Sequence, residues 1–366
     1  MKKISKSTRS DFITYLMVIV VYVIMQALVS SGSVSNALQG QLVPICVYIC
    51  MAVSLNLTVG ISGELSLGHA GFMSVGAFSG IVAAMSLQNL IPVAGARLLI
   101  GVVIGGICAA IAGVIVGVPV LRLSGDYLAI VTLAFGEIIK NILNNLYVGV
   151  DGNGLHFSFT DAAHLGLEET GREIINGPMG ATGVTKLSTF LAGFLLVMVV
   201  LIITQNLIRS RSGRAIMAIR DNRIAAESVG LNITKYKLMA FVVSAAMAGM
   251  AGALYGLNYS SVVPRKFDFN TSILILVFVV LGGMGNIRGS VIAAAVLTLL
   301  PELLRAVNEY RMLIYAIVLI LVMLVTNNPT LKGYLDIAKE KLDKVIRFRK
   351  RVDKALDKAE GGADHE

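Results

Sequence analysis

The glycine-rich stretch LNLTVGISGELSLGHAGFMSVGAFSG, residues 55–80, carries Glu64 and His69 between apolar segments. In lipid, irregular backbone is tolerated only where protein or a water-filled cavity satisfies its polar groups. Glycine-broken helices at membrane depth are also a common element of transport routes. The stretch therefore predicts one wall of a translocation pathway, although glycines also serve close helix packing. The candidate pathway residues here are Asn56, Gly60, Gly63, Glu64, Ser66, Gly68 and His69.

A second group of polar residues lies in the segment GDYLAIVTLAFGEIIKNILNN. Glu137 falls near the middle of an apolar run, and Lys140 follows three residues later on the same helical face. Ionisable residues at that depth cost several kcal/mol unless they face a cavity or a partner. Glu137 is therefore a pathway candidate together with Thr132 and Asn141. A Glu137–Lys140 pair that only neutralises itself and stabilises packing would explain the same spacing.

The composition is that of a polytopic membrane protein. Hydrophobic residues make up 56% of the 366 residues and charged residues 14%, whereas soluble domains carry about 25% charged residues. The net charge is +9, but the sequence has no basic patch interleaved with aromatic residues, so we expect no nucleic-acid partner. The sequence contains no GxxxxGK[ST] phosphate loop, no HExxH and no GxSxG, and its three cysteines lack metal-ligand spacing. An enzyme, a bound metal and an ATP site of its own are not expected.

Apolar runs of roughly 20 residues, the length that crosses a bilayer, recur about ten times. They predict an all-α polytopic protein with glycine-broken or re-entrant helices. The eighth run is the shortest, because Gly282 and Gly283 interrupt it. The predicted spans are 12–29, 41–59, 65–87, 97–119, 128–146, 187–207, 237–257, 271–284, 290–305 and 310–326.

The distribution of Lys and Arg predicts the orientation of the transmembrane domain, residues 12–326. Basic residues concentrate in the N-terminal tail 1–11, the loop 208–236 and the C-terminal tail 327–366, whereas the loop 147–186 is acidic. The positive-inside rule then places both termini in the cytoplasm and the acidic loop outside. The C-terminal tail has the pattern of a basic amphipathic helix, which would lie on lipid or a partner, or simply be solvated.

The cytoplasmic loop IRSRSGRAIMAIRDNRIAAESVGLNITKYK is too long for a plain connector. Its composition between Gly213 and Gly230 is typical of a helix. We expect a short helix lying across the inner surface, with the small residues Ala225 and Ala226 exposed as a docking knob. A basic loop that only anchors the topology is the alternative.

Several blocks resemble one family of transport proteins. Ala225, Ala226 and Gly230 are similar to the E-A-A-x-x-x-G loop of ABC importer permeases, with Ile224 at the position of the usual Glu. Together with the blocks LNLTVGISGELSLGHAGFMSVGA, GDYLAIVTLAFGEI and LGGMGNIRGSVIAAA, this loop resembles the LivM-type permeases of branched-chain amino acid ABC importers. The resemblance covers residues 40–326.

The resemblance implies a multi-pass subunit of the bacterial cytoplasmic (inner) membrane that imports Leu, Ile or Val. Its implied partners are a LivH-like second permease, two ABC ATPase subunits that hold ATP-Mg, an external substrate-binding protein and the lipid bilayer. No cofactor is implied in this chain itself. The implied ATPase-docking residues are Gly213, Arg214, Arg220, Asp221, Ala225, Ala226 and Gly230.

Two other functions fit the same sequence. An ABC permease for urea or another small amino acid or amide would have closely similar features. An ion-coupled secondary transporter, with Glu137 as its ion site, belongs to a different mechanistic class.

Overall fold

The structure is a computed structural model that describes residues 6–32, 35–88, 90–123, 125–152, 154–161, 163–167, 171–304 and 310–327. The described residues are mostly helical. The helices are α1 Lys6–Ser30, α2 Asn36–Asn56, α3 His69–Ser86, α4 Ala94–Val120, α5 Asp126–Asn144, α6 Phe190–Arg209, α7 Arg211–Asp221, α8 Arg223–Ser228, α9 Ile233–Gly256, α10 Phe269–Gly282, α11 Ile287–Leu303 and α12 Arg311–Asn327.

Among the described residues, 7 helical segments are long and apolar enough to cross a membrane. These segments lie in α1, α2 with the turn that follows it, α3, α4, α5, α6 and α9. Helices α10, α11 and α12 have 14, 17 and 17 residues. A mostly helical fold with apolar helices of membrane-spanning length is thereby confirmed, while the number of ten spans and the cytoplasmic termini stay predictions. Helix α12 belongs to a second compact unit, which begins at Leu304.

Helices α3, α4 and α9 form the centre of the first unit, and their backbones touch at glycines. A Cβ atom on Gly76 would lie 2.1 Å from the carbonyl oxygen of Gly249, and one on Gly105 would lie 2.7 Å from that of Gly76. Small residues permit this approach, which brings many atoms into van der Waals contact. Close packing is therefore the role of Gly76, as the alternative interpretation of the glycine-rich stretch expected.

The expectation of an all-helical chain is wrong in the segment 147–186, which forms most of a 5-stranded antiparallel sheet in the order β2-β1-β3-β4-β5. Val148 pairs with Ile175, and both are buried. Such β-branched residues favour strands, but the expectation followed the length and acidity of the segment alone. The strands are β1 Tyr147–Asp151, β2 Gly154–Ser158, β3 Arg172–Asn176, β4 Gly180–Thr182 and β5 Ser261–Val262.

The two predicted tails differ in what the structure describes. Helix α1 begins at Lys6, so part of the predicted tail 1–11 is helical. The predicted amphipathic tail lies outside the described residues beyond Asn327. Only 6% of the apolar segment of α1 is buried, and the ring of Tyr22 stacks on Phe194 with centroids 4.1 Å apart. Helix α1 therefore lies at the edge of the first unit.

Candidate functional site at a helix break

The glycine-rich stretch is broken between α2 and α3. Helix α2 continues as a π-helical turn over Leu57–Ile61, after which the backbone is irregular until His69. Gly63 has a φ of 76°, in the left-handed region that glycine adopts without strain. Short π-helical segments are frequent at functional sites. The break is thus the element that positions the predicted pathway residues.

Asn56 joins the end of α2 to the turn between α10 and α11. Its side chain is fully buried, its Nδ2 donates to Ser290 Oγ at 2.8 Å, and its Oδ1 accepts from the Gly285 N–H at 2.8 Å. A Cβ atom on Gly60 would lie 1.9 Å from Asn56 Oδ1 and 2.2 Å from Gly285 N. Glycine at position 60 is therefore required for the two backbones to approach.

Arg220 brings the predicted docking segment to the predicted pathway stretch. Its Nη1 donates to the carbonyl oxygen of Gly60 at 2.8 Å, while its Nη2 donates to Asp221 Oδ1 at 2.8 Å. A Cβ atom on Gly63 would lie 2.6 Å from Arg220 Cγ, so the arginine stem packs directly on the break. The end of α7 and the π turn consequently form one contact.

Glu64 forms an ion pair with Lys237 in the first turns of α9. The side chains of Glu64 and Lys237 are 9% and 16% exposed. Because both charges have left water, removing either partner leaves an uncompensated buried charge, which is strongly destabilising. Sequence reasoning missed Lys237, since nothing local to Glu64 indicates a partner so far along the chain.

Helices α2, α5 and α10 contact the start of α3, α10 through Ser272 Oγ, which accepts from the Ala70 N–H at 3.1 Å. Thr132 Oγ1 accepts from the Leu67 N–H at 3.1 Å, and a Cβ atom on Gly68 would lie 2.0 Å from the Thr132 carbonyl oxygen. His69 Nε2 lies 2.7 Å from Ser54 Oγ and is buried. His69 is therefore a hydrogen-bonded residue inside the helix packing.

Three hydroxyl groups of the break have no hydrogen-bond partner among the described residues. They belong to Thr58, Ser62 and Ser66, whose exposed fractions are 2%, 3% and 1%. Buried polar atoms in folded proteins are nearly always hydrogen-bonded to protein or ordered water. Each of these hydroxyls therefore has unused hydrogen-bonding capacity of the kind that ordered water satisfies.

Two predicted pathway residues do not join the break. Glu137 forms an ion pair with Lys140 on α5, as the packing interpretation of that spacing expected. Asn141 is exposed one helical turn farther on. The exposed side of α5 also includes Ile138, so this face combines polar and apolar side chains.

The predicted docking segment folds as two helices, α7 and α8. Ser210 Oγ accepts from the Gly213 N–H at 3.0 Å and caps α7, from whose surface Arg214 is exposed. Asn222 Oδ1 accepts from the Ala225 N–H at 3.0 Å and caps α8. Gly230, with a φ of 82°, ends this segment. Each boundary follows from a capping residue that lies within a few residues of it.

The expected exposure of the two alanines is right for Ala225 and wrong for Ala226, while docking itself stays a prediction. Ala225 is exposed, but Ala226 is 4% exposed because it faces the body of the protein. Sequence reasoning missed Ile224 and Val229, which are 79% and 77% exposed. The apolar surface of α8 is therefore formed by Ile224 and Ala225, together with Val229 directly after the helix.

The sequence profile of the family described as "Branched-chain amino acid transport system / permease component" matches residues 37–323. The chain is 36% identical over 335 residues to the high-affinity branched-chain amino acid transport system permease protein LivM of Salmonella typhimurium, covering 88% of this chain and 75% of that protein. It is 37% identical over 292 residues to LivM of Escherichia coli, covering 76% and 66%. It is also 35% identical over 118 residues to Escherichia coli LivH, covering 32% and 38%. No solved structure matches the chain significantly.

Proposed function

The chain belongs to the family of permease components of branched-chain amino acid transport systems, and on that premise we propose that it imports Leu, Ile and Val as one subunit of an ATP-driven ABC importer. In this proposal two ATPase subunits hold ATP-Mg on the cytoplasmic side, and an external binding protein delivers the amino acid. A LivH-like second permease completes the pathway. The complex lies in the bacterial cytoplasmic membrane.

The contact between Arg220 and Gly60 is the single observation that supports this function most. An ABC permease needs a connection between the surface that binds the ATPase and the segment that opens for substrate. Arg220 supplies one, because its guanidinium group is bound to Asp221 on the inner-surface helices and to the break at once. A movement of α7 would therefore displace the π turn.

The exposed apolar surface of α8 supports docking of an ATPase at this place. Ile224 lies on the six-residue helix α8, Val229 follows its last residue, and both side chains are exposed. Exposed apolar groups rimmed by polar residues are typical of protein interaction sites. Arg223 and Glu227 supply such a rim.

The exposed face of α5 supports a second permease as the neighbour. Glu137 and Asn141 would be costly in contact with lipid chains, even though Lys140 neutralises Glu137. A neighbouring permease would cover them, and the pathway would run between this face and the break. Both termini and the α7–α8 segment lie in the cytoplasm in this arrangement, and the β-sheet lies outside, where it is available to the binding protein.

Co-expression with candidate ATPase subunits tests the docking surface. We expect Ile224→Asp to abolish co-purification of the ATPases, because a charge replaces the most exposed apolar residue of α8. Leu123→Asp is the matched control, because Leu123 is also an exposed aliphatic residue but lies outside α7 and α8. Equal ATPase recovery from wild type and Ile224→Asp would contradict the docking role.

Arg220→Gln separates docking from coupling in the same complex. We expect the ATPases to bind this variant normally while ATP-dependent leucine uptake into proteoliposomes falls about tenfold, because the charge-assisted hydrogen bond to Gly60 is lost. Uptake at the wild-type rate would refute the connection through Arg220.

Substrate and energy source are tested in the same vesicles. Competition of labelled leucine uptake by urea and by small amides distinguishes the branched-chain substrate from the amide alternative. An ion gradient without ATP should give no uptake, whereas uptake under that condition would favour the ion-coupled transporter.

A further inference from the structure

A basic cavity lies where the inner ends of α1, α6, α7 and α11 meet the π turn. It has a volume of about 440 Å³. Arg209, Arg220 and Arg288 line it, and no Asp or Glu is among its described lining residues. Arg288 Nε donates to Thr14 Oγ1 at 2.7 Å, which holds the guanidinium group at the cavity wall. Arg220 is already paired with Asp221 outside the lining, so three guanidinium groups and one neighbouring carboxylate leave the cavity with a surplus of basic groups at the predicted cytoplasmic side of the membrane.

An apolar cavity of about 310 Å³ lies farther along the same helices. Its walls come from α1, α2, α6 and α11, and apolar side chains dominate them. On α1, Thr14 lines the basic cavity and Met17 the apolar one; on α11, Arg288 and Val291 are divided in the same way. Residues three apart share one helix face, so the two cavities follow each other within about one helical turn along α1 and α11. On α6 their linings are farther apart, ending at Val197 and resuming at Gln205.

The dimensions and contents of the two cavities match a phospholipid of the inner leaflet. From Thr14 to Met25 the lining of α1 extends roughly 16 Å at the helical rise per residue, about half of the roughly 30 Å hydrocarbon core. Guanidinium groups bind phosphate through paired hydrogen bonds. Basic pockets between transmembrane helices on the cytoplasmic side are typical sites for anionic headgroups.

A buried amide in the basic cavity also points to a ligand. Gln205 lines the cavity and is 6% exposed, yet its Oε1 has no hydrogen-bond partner among the described residues. A buried acceptor without a partner is costly. A headgroup hydroxyl would satisfy it, as the glycerol headgroup of phosphatidylglycerol could.

We propose that the two cavities form one site for an anionic phospholipid, with its phosphate among Arg209, Arg220 and Arg288 and one acyl chain under α1. The sparse packing of α1 against the body follows from this, since the acyl chain fills the space that side chains leave. The site goes beyond the proposed transport function and does not depend on it. Arg220 contacts both the site and the break, so bound lipid would lie next to the coupling contact.

Native mass spectrometry of the purified full-length chain tests the site, with bound lipid counted during titration. The probes are phosphatidylglycerol and phosphatidylcholine of identical acyl chains, and inorganic phosphate as competitor. We expect one saturable phosphatidylglycerol that is not displaced by phosphate and is preferred over phosphatidylcholine about tenfold. Both lipids carry the phosphate, but the choline cation is repelled by the arginines and has no hydroxyl to donate to Gln205 Oε1. Equal binding of both lipids, or full displacement by phosphate, would overturn the proposal.

Three variants locate the binding. Arg288→Gln should weaken phosphatidylglycerol binding about tenfold by removing one charge-assisted contact. Ala295→Phe should weaken it by placing a ring in the apolar cavity, which Ala295 lines. Arg122→Gln, which removes an exposed positive charge outside both cavities, should leave it unchanged. If Arg122→Gln weakens phosphatidylglycerol binding as much as Arg288→Gln does, the lipid is annular and the site is refuted. Phosphatidylglycerol binding at the wild-type level in Ala295→Phe would refute the site as well. If Arg288→Gln does not fold, phosphatidylglycerol binding by Arg288→Lys and Ala295→Phe decides whether the site exists.

Discussion

Gly60→Ala is the most direct test of the contact between the π turn and the α10–α11 turn. The new methyl group would lie 1.9 Å from Asn56 Oδ1 and 2.2 Å from Gly285 N. It would separate the two atoms that form the 2.8 Å hydrogen bond holding that turn. The backbone of Gly285 must therefore move, because backbone atoms cannot rotate away as a flexible side chain can.

The expected loss of stability follows from two costs and one gain. Overpacking costs about 1–3 kcal/mol and loss of the buried hydrogen bond about 1–3 kcal/mol. Replacement of glycine by alanine within a helix returns up to about 1 kcal/mol. The net free energy of unfolding should fall by about 3 kcal/mol, which corresponds to a midpoint about 6 °C lower at roughly 2 °C per kcal/mol.

Thermal unfolding of the purified full-length protein in detergent measures this effect, followed as the monodisperse fraction that survives heating. Gly40→Ala is the matched control, because Gly40 lies in the same helix and a Cβ atom there would have nothing within 4 Å. The control should be as stable as wild type or slightly more so. In an Asn56→Ala background, Gly60→Ala should cost less, since one obstructing atom is gone. If Gly60→Ala unfolds at the same temperature as Gly40→Ala, the close approach of Gly60 to Gly285 does not exist.

Two further predictions concern the ion pairs. Lys237→Met should lower the free energy of unfolding by about 3–5 kcal/mol because it leaves the Glu64 carboxylate buried without its partner, and adding Glu64→Gln should restore part of the loss. Chemical denaturation of both variants measures this, and a double variant no more stable than Lys237→Met would contradict the pairing. Glu137→Gln combined with Lys140→Met should keep uptake within about twofold of wild type, since the pair neutralises itself. Loss of uptake in that double variant, with normal protein amounts, would instead assign Glu137 a direct part in transport.

The break itself was predictable because its cause is local. Glycines and polar residues interrupt an apolar run at 60–68, and the structure ends the regular helix there. The irregular backbone of Gly63, with its positive φ, needs no distant contact to explain it. Likewise Ser210, Asn222 and Asn232 start α7, α8 and α9 through side chains that bind N–H groups three residues ahead.

The β-sheet was not predictable in the same way. Strand β5 at Ser261–Val262 pairs with β4 at Gly180–Thr182 only because α6 to α9 return the chain to the same end of the protein. Two-residue and three-residue strands have too little sequence pattern to be recognised. Their formation depends on a neighbour that supplies the hydrogen bonds.

The sequence by itself determined that this chain lies in a membrane, where its helix breaks, and that a short helical segment lies between Gly213 and Gly230. Those features follow from hydropathy and from side chains that act within a few residues. Only the tertiary structure decided the partners: Arg220 with Gly60 across 160 residues, and Lys237 with Glu64 across 173. It also decided that Ala226 faces inward while Ile224 faces outward. The physical reason is that partners and facing directions depend on how whole helices pack, and no local pattern encodes the position of a helix that lies far away in the chain.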